Sequence, residues 1–198
     1  MKRFTELAVI FILLAISSWA QETRNEVTVQ GSGFFQKQTT SGGITNYSTN
    51  SGGAMAGYRF NLKNWFAVEG DYDFFRNHET YSSSAGTTFV PINVHALTGM
   101  AVVKLPSFKA PAARRVSPFV LAGGGAMFFN PRKGSLNEQT RAAFVYGGGV
   151  DVAVSRHFLV RAQYRGFLYR TPDFGQSSLK LDKYTHAAVP SGGLVFTF

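Results

Sequence analysis

The sequence predicts an all-β fold: an eight-stranded antiparallel up-and-down transmembrane β-barrel. Three observations predict it. Apolar and polar residues alternate with a period of two along most of the chain. The alternating segments are joined by connections that run long and short in turn. Beyond the first 20 residues no uninterrupted apolar stretch reaches the roughly 20 residues that a membrane-crossing helix needs. Side chains of a strand point to opposite faces in turn, so alternation marks a sheet with two unlike sides. A chain that enters a bilayer with strands alone must close into a barrel, because lipid cannot satisfy an open sheet edge.

Residues 1–20 are expected to be a cleaved signal peptide. Lys2 and Arg3 form a basic tip, Leu7 to Ile16 is apolar, and Ser18-Trp19-Ala20 ends the segment with small residues where a signal peptidase reads. Cleavage before Gln21 leaves one domain, residues 21–198, and removing Lys2, Arg3 and Glu6 lowers the formal charge from +9 to +8. Cysteine is absent, which excludes a disulfide framework, a thiolate metal site and a thiol nucleophile. The 21 glycines, many aromatics and lack of helical periodicity argue against a helix bundle.

Taken in order, Glu26 to Lys37 is the first strand, with Val27, Val29 and Phe35 opposite Thr28, Gln30, Phe34 and Gln36. Gln38 to Asn50, built of Thr, Ser, Gly and Asn, is read as a loop that does not pack. Gly52 to Leu62 keeps Ala54, Ala56, Tyr58, Phe60 and Leu62 in phase, and a tight turn at Lys63-Asn64 follows. Trp65 to Asn77 sets Phe66, Val68, Tyr72 and Phe74 against Glu69, Asp71 and Asp73. After a polar interruption from His78 to Pro91, Ile92 to Leu105 places Val94, Ala96, Thr98, Met100 and Val102 on one face, with Leu97 and Val103 opposite. Pro106 to Pro118 reads as an extended solvated turn with Lys109, Arg114 and Arg115.

The fifth strand, Phe119 to Phe129, is expected to turn Phe119, Leu121, Met127 and Phe129 outward and Val120, Ala122, Gly124, Ala126 and Phe128 inward. Asn130 to Arg141 is a long loop. Ala142 to Val154 carries Phe144, Tyr146, Val150, Val152 and Val154 against Asp151, and Ser155 to His157 is a short turn. Phe158 to Arg170 sets Phe158, Val160, Ala162, Tyr164 and Leu168 against Arg161, Gln163 and Arg165. Thr171 to Lys183 is the last long loop. Tyr184 to Phe198 is the closing strand, with Leu194, Phe196 and Phe198 on one face.

Long loops at one end, short turns at the other, an even strand number and an aromatic terminus make the chain resemble the small bacterial outer-membrane barrels related to the OmpA transmembrane domain, OmpX and the opacity-type porin-like proteins. A peptidoglycan-binding domain like that of full-length OmpA-type proteins is not expected, so anchoring to the cell wall by that route is not implied. The resemblance implies residence in the cell outer membrane of a Gram-negative envelope, with a structural, adhesive or porin-like role and no enzymatic activity. It also implies that Leu194, Phe196 and Phe198 are read by the barrel-assembly machinery. The partners expected are outer-membrane lipid and lipopolysaccharide, with a monomeric chain. Arg132, Lys133, Arg141, Arg170, Lys180 and Lys183 are the loop cations expected to meet lipopolysaccharide phosphates.

Two alternatives compete. In a soluble lipocalin-like carrier the aromatic face would line a cavity and the charges would meet water. A lipid A-modifying hydrolase would need His, Ser and an acid near the outer rim, and His78, Glu79 and Ser82 are the residues of those types. In the membrane barrel, Glu69, Asp71, Asp73, Asp151, Arg161 and Arg165 share the lumen. Eight strands leave room there only for side chains, so the charges must pair, with Arg161 expected to face Asp71 across the lumen. No cofactor, metal site or nucleic-acid interface is expected, because Gly123-Gly124-Gly125 and Gly147-Gly148-Gly149 fall within strands and no basic stripe interleaves with aromatics.

Overall fold

The computed structural model describes residues 24–84, 86–109, 115–132, 137–176 and 181–198. Residues 1–20, Arg114, Lys133 and Lys180 lie outside the described residues. The strands are β1 (Asn25–Gln36), β2 (Thr39–Ser41), β3 (Ile44–Ser48), β4 (Ser51–Lys63), β5 (Phe66–Ser83), β6 (Gly86–Lys104), β7 (Phe108–Lys109), β8 (Arg115–Pro131), β9 (Gln139–Ala153), β10 (Phe158–Arg170) and β11 (Tyr184–Thr197). Eight of them, β1, β4, β5, β6, β8, β9, β10 and β11, form an antiparallel ring in chain order. β1 closes it on β11, with Val27 opposite Phe196 and Val29 opposite Leu194. Asn25 and Phe198 exchange backbone hydrogen bonds of 3.1 and 3.0 Å at the seam.

The outer wall carries Val29, Tyr58, Val68, Tyr72, Leu97, Phe144, Val160, Tyr164 and Leu194, all exposed. The charged alternation of β5 and β10 points inward, with Glu69, Asp71, Asp73, Arg161 and Arg165 buried. The lumen is only half polar, however. On β8 the expected faces are inverted: Phe119, Leu121, Met127 and Phe129 are buried inside, while Val120, Ala122, Gly124 and Phe128 are exposed outside. β6 likewise turns Val90, Ile92, Val94, Ala96, Met100 and Val102 inward. Both faces of these strands are apolar, so no charge marks the inner one. The side chain that fixes the phase is Phe119, whose ring lies 4.3 Å from the Arg59 guanidinium and 5.1 Å from that of Arg161.

The loops also depart from expectation. The segment 38–50 holds the β2–β3 hairpin, and β3 adds to β5 beyond the wall, Thr45 opposite Ser82 and Ser48 opposite Glu79. The interruption read from His78 to Pro91 is instead the continuation of β5 and β6, paired up to Ser83 and Gly86. Its Thr, Tyr, Phe and Val residues favour strand, and their polar partners are satisfied by the ladder. At the other end the connection 106–118 contains β7, paired with β8 through Phe108 to Val116 and Lys109 to Arg115.

Inward-facing glycines let neighbouring backbones approach. A Cβ added to Gly147 would collide with the carbonyl oxygen of Tyr164 on β10, whereas one on outward-facing Gly31 would meet nothing. Gly147→Val is therefore expected to cost at least about 1–3 kcal/mol through forced strand displacement, and Gly31→Val to leave folding intact. Urea unfolding of both variants in detergent micelles, followed by the heat-modifiable band on gels, checks the contrast. Equal stability of the two would contradict it.

Candidate functional site

The lumen is built in tiers along the barrel axis. Near the end where both termini and the short turns lie, β1, β4, β5, β9 and β10 contribute Glu26, Arg59, Glu69, Asp151 and Arg161, all buried. Arg161 bonds Asp151 through Nε (2.6 Å to Oδ1) and Nη2 (2.9 Å to Oδ2), and Glu26 through Nη2 at 2.7 Å. Its Nη1 lies 3.4 Å from Glu69. Arg59 bonds Glu69 through Nε and approaches Asp151 at 3.5 Å. Lys104 donates to the second oxygen of Glu26 at 2.7 Å. Three carboxylates thus meet three cations, which is the condition for holding them away from water.

One step along the axis, Arg165 bonds Asp71 at 3.1 Å and both oxygens of Asp73, spanning the lumen from β10 to β5. Strands four apart in an eight-stranded ring face each other, so this pairing follows from topology. The expected contact between Arg161 and Asp71 is not made: Asp71 is held by Arg165, and Arg161 by Asp151, Glu26 and Glu69. Glu26, Arg59 and Lys104 complete the network and were not among the residues expected there. The signal for two of them is in the sequence: Arg59 alternates with Tyr58 and Phe60 and so falls on the face opposite their apolar one, and Glu26 is in register with Thr28 and Gln30.

Beyond the ionic tiers the lumen is apolar. Phe34, Phe75, Ile92, Met127, Phe129, Phe167 and Tyr169 are fully buried, with Phe34 and Phe75 rings 5.0 Å apart and Phe129 and Tyr169 rings 5.5 Å apart. A polar cap covers this plug. Glu79, which has no cation partner among the described residues, accepts from Asn46 Nδ2 at 2.7 Å and Gln36 Nε2 at 3.5 Å, and Tyr169 donates to Gln36 Oε1 at 2.8 Å. Phe174 and Leu181 of the last loop are buried above, with Tyr81 bonded to the Pro172 carbonyl at 2.8 Å.

The histidines form no catalytic arrangement with the acids named for one. His78 is exposed on the outer face of β5, while Glu79 is buried on the inner face, and Ser82 bonds Thr87 at 3.2 Å. His95 pairs with Tyr72 at 2.6 Å and His186 with Tyr146 at 3.1 Å, both on the outer wall; His157 lies 3.2 Å from the Thr197 carbonyl. Of the loop cations, Arg141 is bound to Asp173 at 3.3 Å and Arg170 to Asp182 at 3.4 Å. Lys183 donates to the Thr40 carbonyl at 3.4 Å, and Arg132 has no carboxylate partner among the described residues. Leu194, Phe196 and Phe198 lie on the outer face of the seam, with Phe196 and Phe198 stacked 5.7 Å apart.

An apolar exterior around a closed interior whose arginines are all held by carboxylates defines an integral membrane barrel. The chain belongs to the outer membrane protein β-barrel domain family, whose pattern its residues 7–187 match, and it resides in the outer membrane. Solved barrels share its fold. Neisserial surface protein A superposes with a TM-score of 0.64 at 15% identity, covering 88% of this chain and 97% of that one. OprG of Pseudomonas aeruginosa gives 0.56 at 12% identity, covering 90% and 97%, and Ail, the attachment invasion locus protein of Yersinia pestis, gives 0.50 at 16%, covering 90% and 100%. No curated protein matches the chain.

The pairing pattern yields a double-mutant test. Arg161→Ala leaves buried carboxylates without a partner and is expected to cost about 3–5 kcal/mol. Combined with Asp151→Ala, urea unfolding in micelles is expected to reveal coupling above about 1 kcal/mol, and a smaller coupling with Asp71→Ala. Additive effects of Arg161 and Asp151 would contradict the contact.

Proposed function

We propose that the protein is a non-enzymatic, monomeric outer-membrane scaffold whose barrel does not conduct and whose loop end provides the functional surface. The carrying observation is the apolar plug. Phe34, Phe75, Phe129, Phe167 and Tyr169 occupy the lumen between the ionic tiers and the loops and are fully buried, which supports a lumen closed to water and ions. A structural or adhesive role therefore accounts for the fold better than a porin-like one. The β2–β3 hairpin and the paired extension of β5 and β6 support the adhesive reading, since they present an ordered strand surface beyond the lipid-facing band.

In this reading the segment 1–20 is removed on export and the barrel occupies 21–198. Arg132 and Lys183 are the described loop cations best placed to meet lipopolysaccharide phosphates, because Arg141 and Arg170 already hold aspartates. Leu194, Phe196 and Phe198 serve as the signal for the assembly machinery; their common outward face and their position at the closing seam support this.

Purified protein in planar bilayers is expected to give no sustained single-channel current, and a stable open conductance would overturn the plugged reading. Removing the terminal aromatic by Phe198→Ser is expected to reduce the heat-modifiable band in outer-membrane fractions several-fold while leaving refolding from urea into detergent unaffected. Unchanged insertion in cells would remove Phe198 from the assembly signal.

A further inference from the structure

Five of the cations that the lumen does not use lie at the end of the short turns. Arg24 precedes β1, Lys63 ends β4, Lys109 and Arg115 face each other across the β7–β8 pair, and Arg156 lies between β9 and β10. None of these five has a carboxylate partner among the described residues, and the one described acid at this rim, Glu26, is turned into the barrel and held by Lys104, Arg59 and Arg161. At the opposite rim Arg141 and Arg170 have aspartates of their own, while Arg132 and Lys183 have no carboxylate partner among the described residues. Like charges directly opposite in a sheet repel, so the Lys109 and Arg115 pair in particular calls for an anion supplied from outside the chain.

Aromatic and apolar residues accompany these cations. Lys63 Nζ lies 5.5 Å from the Trp65 ring. Phe108 pairs with Val116 on the face that continues the outer wall, Lys109 and Arg115 are exposed on the other face of the same pair, and Arg156 is two residues from Phe158. Trp65 and Phe108 are each 56% exposed. Aromatics in such barrels sit at the lipid headgroup level, which sets the adjoining cations against the phosphates. The positions follow the ring from β1 through β4 and the β6–β8 connection to the β9–β10 turn. A rigid partner would touch one sector, whereas a lipid layer meets the whole circumference.

We propose that this rim is a cationic collar that selects anionic phospholipid headgroups over zwitterionic ones in the periplasmic leaflet. A zwitterionic headgroup brings an ammonium along with its phosphate and cancels much of the attraction. A net-negative headgroup does not, and each cation near such a surface strengthens binding by up to about fivefold.

The test uses the protein in nanodiscs of mixed phosphatidylethanolamine and phosphatidylglycerol, with the lipids retained on release counted by native mass spectrometry. Phosphatidylglycerol is expected to be enriched over its bulk share. Lys63→Gln/Lys109→Gln/Arg115→Gln/Arg156→Gln is expected to abolish the enrichment, Lys63→Gln/Arg156→Gln to reduce it at least twofold, and Arg170→Gln/Asp182→Asn, which removes an ion pair at the other rim without changing the net charge, to leave it unchanged. The heat-modifiable band verifies folding of each, and the two-site variant decides if the four-site variant fails to fold. Absence of enrichment in the unaltered protein, its persistence in the collar variants, or its loss in the opposite-rim variant would overturn the proposal. So would loss of co-sedimentation with purified peptidoglycan sacculi in the collar variants while lipid retention stays unchanged, which would assign the cations to the cell wall.

Discussion

Closure of β1 on β11 is the constraint from which the rest of the molecule follows. In lipid an unpaired strand edge leaves a row of backbone donors and acceptors without partners, each costing several kcal/mol by order of magnitude. The antiparallel ladder from Asn25 to Gln36 removes that edge. Closing the ring with eight strands fixes a lumen that side chains fill completely. Every inward residue is therefore withdrawn from water, whether apolar or charged, and the interior must be solved as a packing problem and a neutralisation problem together.

The two problems are solved at different heights. Glu26, Arg59, Glu69, Asp151, Arg161 and Lys104 balance one another at one level, and Arg165 bridges Asp71 and Asp73 at the next. Phe119 serves both requirements, because its ring covers the Arg59 and Arg161 guanidinium planes while joining the apolar side formed by β6 and β8. The aromatic plug then separates this network from the loops.

Legibility in the sequence followed charge. β5 and β10 could be oriented because Glu69, Asp71, Asp73, Arg161 and Arg165 alternate with apolar neighbours, and a charge on the lipid face is costly. β8 offered no such marker: Phe119 and Leu121 on one face are matched by Val120 and Phe128 on the other, and the faces were exchanged. The extension of β5 and β6 was hidden for a related reason. Ser82, Ser83 and Thr87 look like loop by polarity, yet above the lipid-facing band a strand can be polar on both faces, and Thr80 opposite Phe89 continues the ladder. Arg161 met Asp151 and not Asp71 because Asp151 is its direct cross-strand neighbour on β9, whereas Asp71 lies at the height of Arg165.

The order of the tiers gives the barrel a sidedness of solvent access that its antiparallel ring does not have. The aromatic residues stand between the ionic levels and the loops, while at the other end the Lys104 side chain is 22% accessible. Among the described residues, solvent thus touches the ionic network from the end of the short turns and meets aromatic rings first from the end of the loops.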